Sequence, residues 1–418
     1  MHDFKFKGNE LHCENVKIAA IAKKVGTPCY VYSYNTIADH FTKLQKAFAP
    51  VNPIICFAMK ANGNLAIIKS LINLGAGIDI VSGGELKKAI LAGADPKKIV
   101  FASVGKTEDE IALAIKTGIL LFNVESEPEL AEINRIAKKM GKKVQAALRI
   151  NPDVPAATHE YITTGSLKKK FGIDLRTTKA MFKAQSKYPN VKINGVHVHI
   201  GSQITEGAPF VNALKKVVAF IDTLKSEGVN IEYLDIGGGL GITYKDESPQ
   251  TAADYAAKVV PILAKTGLKI IMEPGRFIVG NAGIFVNKVL FVKDNGVKKF
   301  VIVDGGMNDL IRPTLYDAYH EIVPVKKTAA GKVKVDIVGP ICESGDFFAH
   351  DRLVPKVVPG DLIAVMSAGA YGYVMASNYN VRGRSPEVMV KGNKFEVTKK
   401  REEFKDLMRG ESIPSFIK

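Results

Sequence analysis

Residues 53–59 read Pro-Ile-Ile-Cys-Phe-Ala-Met, a short apolar run that is followed at once by Lys60-Ala61-Asn62. Such a run predicts a buried strand. Seven similar runs follow, and the segments between them have helical 3.6-residue apolar spacing, as in Glu127–Met140 and Phe210–Glu227. Alternating strands and helices predict parallel strands joined by crossover helices. Eight such units in about 250 residues predict a closed (β/α)8 barrel.

The predicted barrel strands are Pro53–Met59, Gly77–Val81, Lys98–Ala102, Ile119–Val124, Val144–Ile150, Ile193–Ile200, Ile231–Ile236 and Lys269–Met272. An extra strand, Tyr30–Ser33, and its helix precede them. After about Gly280 long helical patterns become rare, and strand-like runs predict a second, mostly antiparallel β-domain. We therefore expect an α/β protein with a (β/α)8 TIM-type barrel at 27–280 and a β-domain formed by 1–26 and 281–418.

Composition narrows the class of protein. The 418 residues are too many for one ordinary compact core. The net charge of +16 comes from scattered lysines, with Lys168–Lys170 as the longest basic run, so a solvated surface is favoured over nucleic-acid binding. No apolar run approaches the roughly 20 residues of a membrane helix, and the polar N-terminus has no signal-peptide core. With four widely spaced cysteines, this predicts a cytoplasmic protein with no membrane partner.

The candidate catalytic residues follow predicted strands, because catalytic groups of a barrel lie at the C-terminal ends of its strands. Lys60 follows the first strand, where a desolvated lysine becomes a usable amine nucleophile. On position alone, a strand-terminal lysine that reaches into solvent is the favoured interpretation. His197 and His199 share one face near the end of the sixth strand. Such a pair suggests either metal ligands, without an evident third ligand, or an imidazole that stacks on a flat cofactor.

Two further motifs follow the last two barrel strands. Gly237–Gly239 would bring bare backbone N–H groups close to an anion, and phosphate commonly binds after strands seven and eight. Glu273 and Arg276 come after the eighth strand. The carboxylate suits a protonated ring nitrogen and the guanidinium suits phosphate or carboxylate. A glycine turn and a buried Glu–Arg ion pair are the structural alternatives.

The predicted β-domain has three motifs of its own. Cys342 is a lone thiol in Cys-Glu-Ser-Gly-Asp, where it would be either a small buried hydrophobe or a proton donor and acceptor. Arg312 and Tyr316 offer a cation and a phenol on one loop. Tyr371 stands between glycines in a tight turn. Each would be an ordinary loop motif if it occurred alone.

Taken together and in this order, the motifs resemble those of the fold-type III pyridoxal-phosphate decarboxylases over nearly the whole chain. Phe57–Asn62 looks like the cofactor-lysine motif of that family. The stretches His199–Gln203, Gly237–Gly239 and Glu273–Arg276 look like its ring-stacking, phosphate and pyridinium motifs. Cys342–Asp346 is similar to the motif of the diaminopimelate decarboxylases.

The resemblance implies pyridoxal 5′-phosphate as the cofactor and gives each barrel residue a role. Lys60 would hold the cofactor as a Schiff base, with Asp79 as a helper near the site. His199 would stack on the ring, and Glu273 would pair with the pyridinium nitrogen. The residues that would hold the cofactor or its phosphate are Ser202, Gly239, Gly275, Arg276 and Tyr371.

The resemblance also implies how the substrate binds. Its distal end would contact Arg276, Arg312, Tyr316, Glu343 and Tyr371. Cys342 and Glu343 would come from the neighbouring subunit of a homodimer with shared active sites. Cys342 would return a proton after carbon dioxide leaves. The segment Asn151–Gly172 looks like the mobile loop of the family.

The expected reaction is decarboxylation of a small amino acid, meso-2,6-diaminopimelate, to L-lysine, the last step of lysine biosynthesis. Two arginines suit its distal carboxylate. The close alternatives are decarboxylases of carboxynorspermidine or of a basic amino acid such as ornithine, whose bare ammonium would require an acidic group. A cofactor-binding carrier would lack the β-domain and its cysteine. Nucleic-acid binding is suggested by the net charge alone.

Overall fold

The computed structural model describes residues 2–153 and 170–417. They divide into two compact units, one that spans Ile37–Val279 and one that joins the residues up to Thr36 with those from Gly280 onward. No described helix is long and apolar enough to cross a membrane.

The N-terminal segment contains four strands and two helices: β1 (Phe4–Lys7), β2 (Glu10–Cys13), β3 (Val16–Lys17), α1 (Ile18–Val25), β4 (Cys29–Ser33) and α2 (Tyr34–Ala47). The first three strands form a small antiparallel sheet. Apolar side chains of this sheet and of α1 enter a core cluster with Val31 of β4. The segment up to Thr36 therefore belongs to the unit that carries the C-terminal residues, whereas α2 from Ile37 onward belongs to the unit that spans Ile37–Val279.

Eight strands form a closed parallel barrel: β5 (Ile54–Ala58), β6 (Gly77–Ile80), β7 (Ile99–Phe101), β8 (Leu121–Val124), β9 (Val144–Arg149), β10 (Val191–His197), β11 (Tyr233–Asp235) and β12 (Lys269–Met272). Each strand pairs with the next in the chain, and β12 pairs with β5 to close the ring. The predicted barrel is confirmed, and every predicted strand has an observed counterpart.

Helices follow the barrel strands: α3 (Leu65–Asn73), α4 (Gly83–Leu91), α5 (Glu108–Thr117), α6 (Glu127–Lys139), α7 (Leu175–Lys183), α8 (Ala208–Ser226), α9 (Ala252–Ala264) and the short α10 (Arg276–Val279). Several of them begin with a side-chain cap, such as Ser126 before α6 and Thr251 before α9. In α8 the buried residues recur every three to four positions from Phe210 to Leu224. This spacing turns one apolar face inward.

The remaining elements belong to the other unit: β13 (Gly283–Asp294), β14 (Lys299–Val303), α11 (Arg312–Tyr316), β15 (Ile322–Pro324), β16 (Lys332–Val338), β17 (Phe347–Pro355), β18 (Leu362–Val365), β19 (Glu387–Lys391), β20 (Lys394–Lys399) and α12 (Phe404–Leu407). They form a nine-stranded sheet together with β4. Only the β14–β16 and β4–β19 pairs are parallel. The predicted, mostly antiparallel β-domain is confirmed.

The extra strand predicted at Tyr30–Ser33 is present as β4, but it does not join the barrel. It pairs with β13 and β19 inside the nine-stranded sheet. All five of its residues are buried, as expected for a central strand.

Candidate active site

Lys60 lies in a single 3₁₀ turn, Met59–Ala61, directly after β5. Its ammonium nitrogen is 2.7 Å from Oδ2 of Asp79, a fully buried residue of β6. Burial and repulsion from Glu273 raise the pKa of Asp79 to about 8, while the charge of Lys60 opposes that rise. The contact fixes the position of the Lys60 amine beside a carboxyl group that can exchange a proton with it.

Glu273 follows β12 and is the centre of a buried hydrogen-bond network. Asn123 Nδ2 donates to Glu273 Oε1 at 2.9 Å and to Asp235 Oδ2 at 3.0 Å. His197 Nε2 lies 3.5 Å from Glu273 Oε2. Asp235 also accepts the backbone N–H of Gly237 at 2.9 Å. These side chains meet because each stands at or next to the C-terminal end of a barrel strand.

The pKa values of the two carboxyl groups in this network, Asp235 and Glu273, are shifted in opposite directions. Burial raises the pKa of Asp235 well above its usual range, and the charge of Glu273 raises it further. Burial acts the same way on Glu273, but attraction to His197 and Lys60 and the hydrogen bond from Asp235 together lower the pKa of Glu273. At neutral pH the proton of the pair is therefore on Asp235 and the negative charge is on Glu273.

The same cluster bears on the metal alternative. His197, Asp235 and Glu273 bring three ligand-type atoms within 4.8 Å of one another, so two further ligand-type side chains do lie close to His197, though His199 is not in this group. The spacing in the sequence did not reveal them. However, the Asn123 amide donates to both carboxyl groups, so one oxygen of each already has a hydrogen-bond partner. The hydrogen bonds account for the cluster.

His199 lies two residues beyond β10 and is half-buried. Its Nδ1 accepts a hydrogen bond from the backbone N–H of Gly238 at 3.2 Å, so this nitrogen carries no proton. Burial, followed by the nearby charges of Arg149 and Lys60, lowers the pKa of His199 well below its usual range. The ring is neutral and fixed in orientation, as a ring that stacks on a flat cofactor requires.

The glycine run Gly237–Gly239 is required by close backbone packing. A Cβ on Gly238 would lie 2.3 Å from the carbonyl oxygen of Glu273. A Cβ on Gly239 would lie 2.5 Å from the carbonyl oxygen of Gly201, and Gly239 has a φ of +113°. Side chains are therefore excluded, and the loop presents bare backbone, which is the arrangement that binds anions.

Arg276 is buried and its guanidinium is held on two sides. Its Nη1 donates to the hydroxyl of Tyr244 at 2.6 Å. Its Nε and Nη2 lie 3.4 Å and 3.2 Å from Oγ of Ser202. The adjacent Gly275 packs against the lysine turn, since a Cβ there would lie 3.0 Å from Cβ of Ala61. The structure thus brings the predicted residues Ser202, Gly275 and Arg276 to the same end of the barrel as Lys60.

Three residues of this site are absent from the sequence-based prediction. Asn123 stands in β8 and Asp235 ends β11, so each is a polar side chain in an otherwise apolar barrel strand. The strand-end rule could have identified both of them. Tyr244 lies in the loop after β11 and belongs to no motif, so nothing in the sequence singles it out.

Of the loop predicted at Asn151–Gly172, residues 154–169 lie outside the described residues. The C-terminal end of the segment is fixed to the barrel. The backbone N–H of Gly172 donates to Oε2 of Glu125 at 2.7 Å, and Oε1 of the same carboxylate pairs with Arg149. The chain therefore leaves this segment from a defined point beside β9.

In the second unit, α11 carries both Arg312 and Tyr316. The guanidinium carbon of Arg312 lies 5.9 Å from the centre of the Tyr316 ring, and Arg312 is buried. Tyr371 has a φ of +55°, and Gly372 beside it has no room for a side chain because a Cβ would lie 2.5 Å from the Ala368 carbonyl oxygen. The turn predicted around Tyr371 is therefore tight and strained.

Cys342 and Glu343 are exposed, which excludes the small buried hydrophobe as a description of Cys342. The backbone N–H of Cys342 donates to Oδ1 of Asn380 at 2.8 Å, and the Tyr379 hydroxyl donates to Glu343 Oε2 at 3.4 Å. Asp346 is buried and accepts two backbone N–H groups. The motif is a fixed loop that presents a thiol and a carboxylate at the surface of its unit.

Known proteins are similar to this chain in fold and in sequence. A family model described as pyridoxal-dependent decarboxylase, pyridoxal binding domain, matches residues 34–280. The chain is 50% identical over 401 residues to diaminopimelate decarboxylase of Aquifex aeolicus, covering 96% of this chain and 95% of that protein. It is 45% identical over 413 residues to the Pseudomonas aeruginosa enzyme of that name, covering 99% of both chains. A solved structure of diaminopimelate decarboxylase from M. jannaschii in co-complex with L-lysine matches with a TM-score of 0.94 and 39% identity, covering 100% of both chains.

The family model spans more than half of the chain, and these relatives match it over nearly their whole length. The chain therefore belongs to the diaminopimelate decarboxylase family of pyridoxal-dependent decarboxylases.

Proposed function

We propose that the protein decarboxylates meso-2,6-diaminopimelate to L-lysine and carbon dioxide, the last step of lysine biosynthesis. The observation that carries this proposal is the 44–50% identity, over at least 95% of each chain, to relatives named diaminopimelate decarboxylase. The family is pyridoxal-dependent, so the cofactor is pyridoxal phosphate.

The barrel side chains fit this cofactor. Lys60, whose amine is fixed by Asp79, would hold it. Glu273 is a buried carboxylate whose charge is retained because its neighbour Asp235 keeps the proton, and it would face the ring nitrogen. The neutral, oriented ring of His199 would stack on the cofactor ring.

The phosphate of the cofactor would lie at the glycine run, where the close backbone packing excludes side chains. Ser202, Gly239 and Gly275 would line this part of the site, and Tyr371 would contribute its hydroxyl. Ser202 and Tyr244 already orient the guanidinium of Arg276, which would supply a positive charge in a fixed position. When bound, the cofactor supplies an electron sink for the bond that breaks.

The substrate carries a second amino-acid head that has both an amine and a carboxylate. We assign the carboxylate to Arg276 and Arg312, and further contacts with the substrate to Tyr316 and Tyr371. Glu343 would take the distal amine. The guanidinium of Arg312 suits a carboxylate, because charge-assisted hydrogen bonds between the two groups are stronger than neutral ones. A substrate that ends in a bare ammonium would be repelled there.

The protonation step requires an acid near the reacting carbon, and we assign it to Cys342 of a second subunit in a homodimer with shared sites. Two features support this assignment. Cys342 and Glu343 are exposed on their own chain, and Tyr379 and Val381 nearby expose 44% and 66% of their surface. A second copy of the chain would cover these apolar groups. Cytoplasmic localisation is part of this proposal, because a reducing compartment would keep the thiol of Cys342 free.

The test is a carbon-dioxide release assay on the purified protein, with and without added pyridoxal phosphate. The substrates are meso-diaminopimelate, L-ornithine and carboxynorspermidine. We expect release from meso-diaminopimelate only in the presence of the cofactor, with one L-lysine formed per carbon dioxide. Lys60→Ala is the matched control, and it should show neither turnover nor the visible absorbance of the bound cofactor. Preferred turnover of ornithine or carboxynorspermidine would overturn the assignment.

A further inference from the structure

We propose that His320 is the positioning residue for Arg312 and that it acts only as a neutral ring, a role that rests on the proposed function in which Arg312 binds the distal carboxylate. His320 lies between α11 and β15, in no motif of the sequence. Its side chain is completely buried, and Arg312 is exposed by only 5%. The two residues therefore meet away from water, where hydrogen-bond geometry decides orientation.

The hydrogen bonds of the ring define its protonation. Nε–H of Arg312 donates to Nε2 of His320 at 3.3 Å. Nδ1 of His320 lies 2.8 Å from the carbonyl oxygen of Met366. A carbonyl oxygen only accepts, so Nδ1 carries the proton, while Nε2 must be unprotonated because a guanidinium only donates. His320 is thus a neutral ring whose Nδ1 donates a hydrogen bond and whose Nε2 accepts one.

The ring is itself held rigidly. The carbonyl oxygen of His320 accepts a hydrogen bond from Nη1 of Arg352 at 2.8 Å, and the Arg352 guanidinium lies 4.0 Å from the centre of the Tyr319 ring. The backbone N–H of Met366 donates to the carbonyl oxygen of Glu321 at 2.8 Å. Main chain and side chain of His320 are thus tied to β17 and to the end of β18. A ring fixed in this way can orient the flexible side chain of Arg312.

The choice of donor matters for recognition. A guanidinium can offer a carboxylate either the edge formed by Nε and one Nη or the edge formed by its two Nη groups. Because His320 takes Nε–H, Arg312 would use its terminal Nη edge. Protonation of His320 would place N–H against N–H and two like charges in a buried place, and Arg312 would have to turn away. His320 thus sets which edge of Arg312 meets the substrate.

Two substitutions separate the acceptor from the donor. His320→Gln can place its amide oxygen near the position of Nε2 and keep the acceptor for Arg312. His320→Asn can place its amide nitrogen near the position of Nδ1 and keep the donor to Met366, but it has no acceptor that reaches Arg312. Positioning of Arg312 thus predicts that Gln retains function and Asn does not, whereas a purely structural tie to Met366 predicts the reverse.

The measurement is made on the holoenzyme with two ligands, through the absorbance change of the bound cofactor. L-lysine keeps the distal carboxylate and cadaverine lacks it. For His320→Asn we expect the Kd of L-lysine and the KM of meso-diaminopimelate to rise about 10-fold or more, with kcat and the Kd of cadaverine within about twofold. For His320→Gln we expect all four values within about threefold of wild type.

Equal losses in both variants, or parallel losses for lysine and cadaverine, would overturn the role of His320. A wild-type protein that does not turn over meso-diaminopimelate would instead overturn the proposed function.

A second measurement does not require the His320→Asn variant. ¹⁵N NMR of the wild-type histidine rings, with His320 assigned by its absence in His320→Gln, should show the Nδ1–H tautomer in the lysine complex. An imidazolium or the Nε2–H tautomer would contradict the inference.

Discussion

Asp235→Asn and Glu273→Gln each replace a buried carboxyl group by an amide of similar volume, and the structure predicts unequal results. Burial and the charge of Glu273 raise the pKa of Asp235. Glu273 is also buried, yet His197 and Lys60 lower its pKa. At neutral pH Asp235 is therefore already uncharged, so an asparagine reproduces its charge state. A glutamine at position 273 removes a negative charge that the site retains.

The magnitudes follow from the contacts. Glu273→Gln removes one partner of a buried charged cluster, which typically costs about 3–5 kcal/mol. If that energy is lost from the transition state, kcat/KM falls about 10²- to 10⁴-fold. Asp235→Asn keeps the acceptor for the Gly237 N–H at 2.9 Å and keeps a donor toward Glu273. It loses the acceptor that Asn123 reaches at 3.0 Å. One neutral hydrogen bond is worth about 1 kcal/mol, so the loss in kcat/KM should stay below about tenfold.

The assay compares kcat/KM for carbon-dioxide release from meso-diaminopimelate at neutral pH with saturating cofactor. Cofactor occupancy is followed by absorbance and folding by thermal unfolding, so that failure to load or to fold is not mistaken for loss of charge. If Asp235→Asn were as damaging as Glu273→Gln, or more so, the proton would not be on Asp235 and the account of the cluster would be refuted.

Gly238→Ala should weaken cofactor binding about 10-fold or more because its Cβ would lie 2.3 Å from a backbone carbonyl oxygen, whereas Gly105→Ala, with no described atom within 4 Å, should leave the titration unchanged. Lys60→Ala and Cys342→Ala should each lose most turnover, and subunit exchange between them should restore about a quarter of wild-type activity if sites are shared; no recovery after verified exchange would contradict sharing. In the cofactor-free wild-type protein, burial raises the pKa of Asp79 to about 8, so its stability should fall as pH rises from about 4 to about 8. Asp79→Asn lacks this carboxyl group. The stability of the variant relative to wild type should therefore increase over that range, by at most about 1.4 kcal/mol per pH unit. Urea unfolding at several pH values measures that difference, and one that did not vary with pH would refute the raised pKa.

The barrel could be predicted from the sequence because each buried parallel strand is a short apolar run and each helix has its own period. The closing strand, Lys269–Met272, was predicted with its observed bounds. Lys60 and Glu273 could be predicted because the end of a barrel strand is itself a position in the site. In each case the prediction needed only neighbouring residues in the sequence, and the closed barrel then brings the ends of its strands close together.

What the sequence did not reveal depends on partners that are distant in the chain. Asn123 is 112 residues from Asp235 and 150 from Glu273, and the network exists only once the ring of strands has closed. The strand Cys29–Ser33 has the same apolar character as a barrel strand, yet it pairs with two strands more than 200 residues away. An apolar pattern indicates burial but does not name the partner.

Each of the two units contains a buried charged group next to an ionisable group that stays neutral, and the charge is negative in one unit and positive in the other. The negative charge of Glu273 stands beside Asp235, a carboxyl group that stays neutral, and the positive charge of Arg312 stands beside His320, a ring that stays neutral. In each place a second charge of the same sign would repel the first and turn it from its ligand, since a buried site screens little. Ionising the neutral neighbour should therefore be more damaging than replacing it by an uncharged side chain that keeps the hydrogen bond. The proposed site thus depends as much on the residues that remain uncharged as on those that carry the charge.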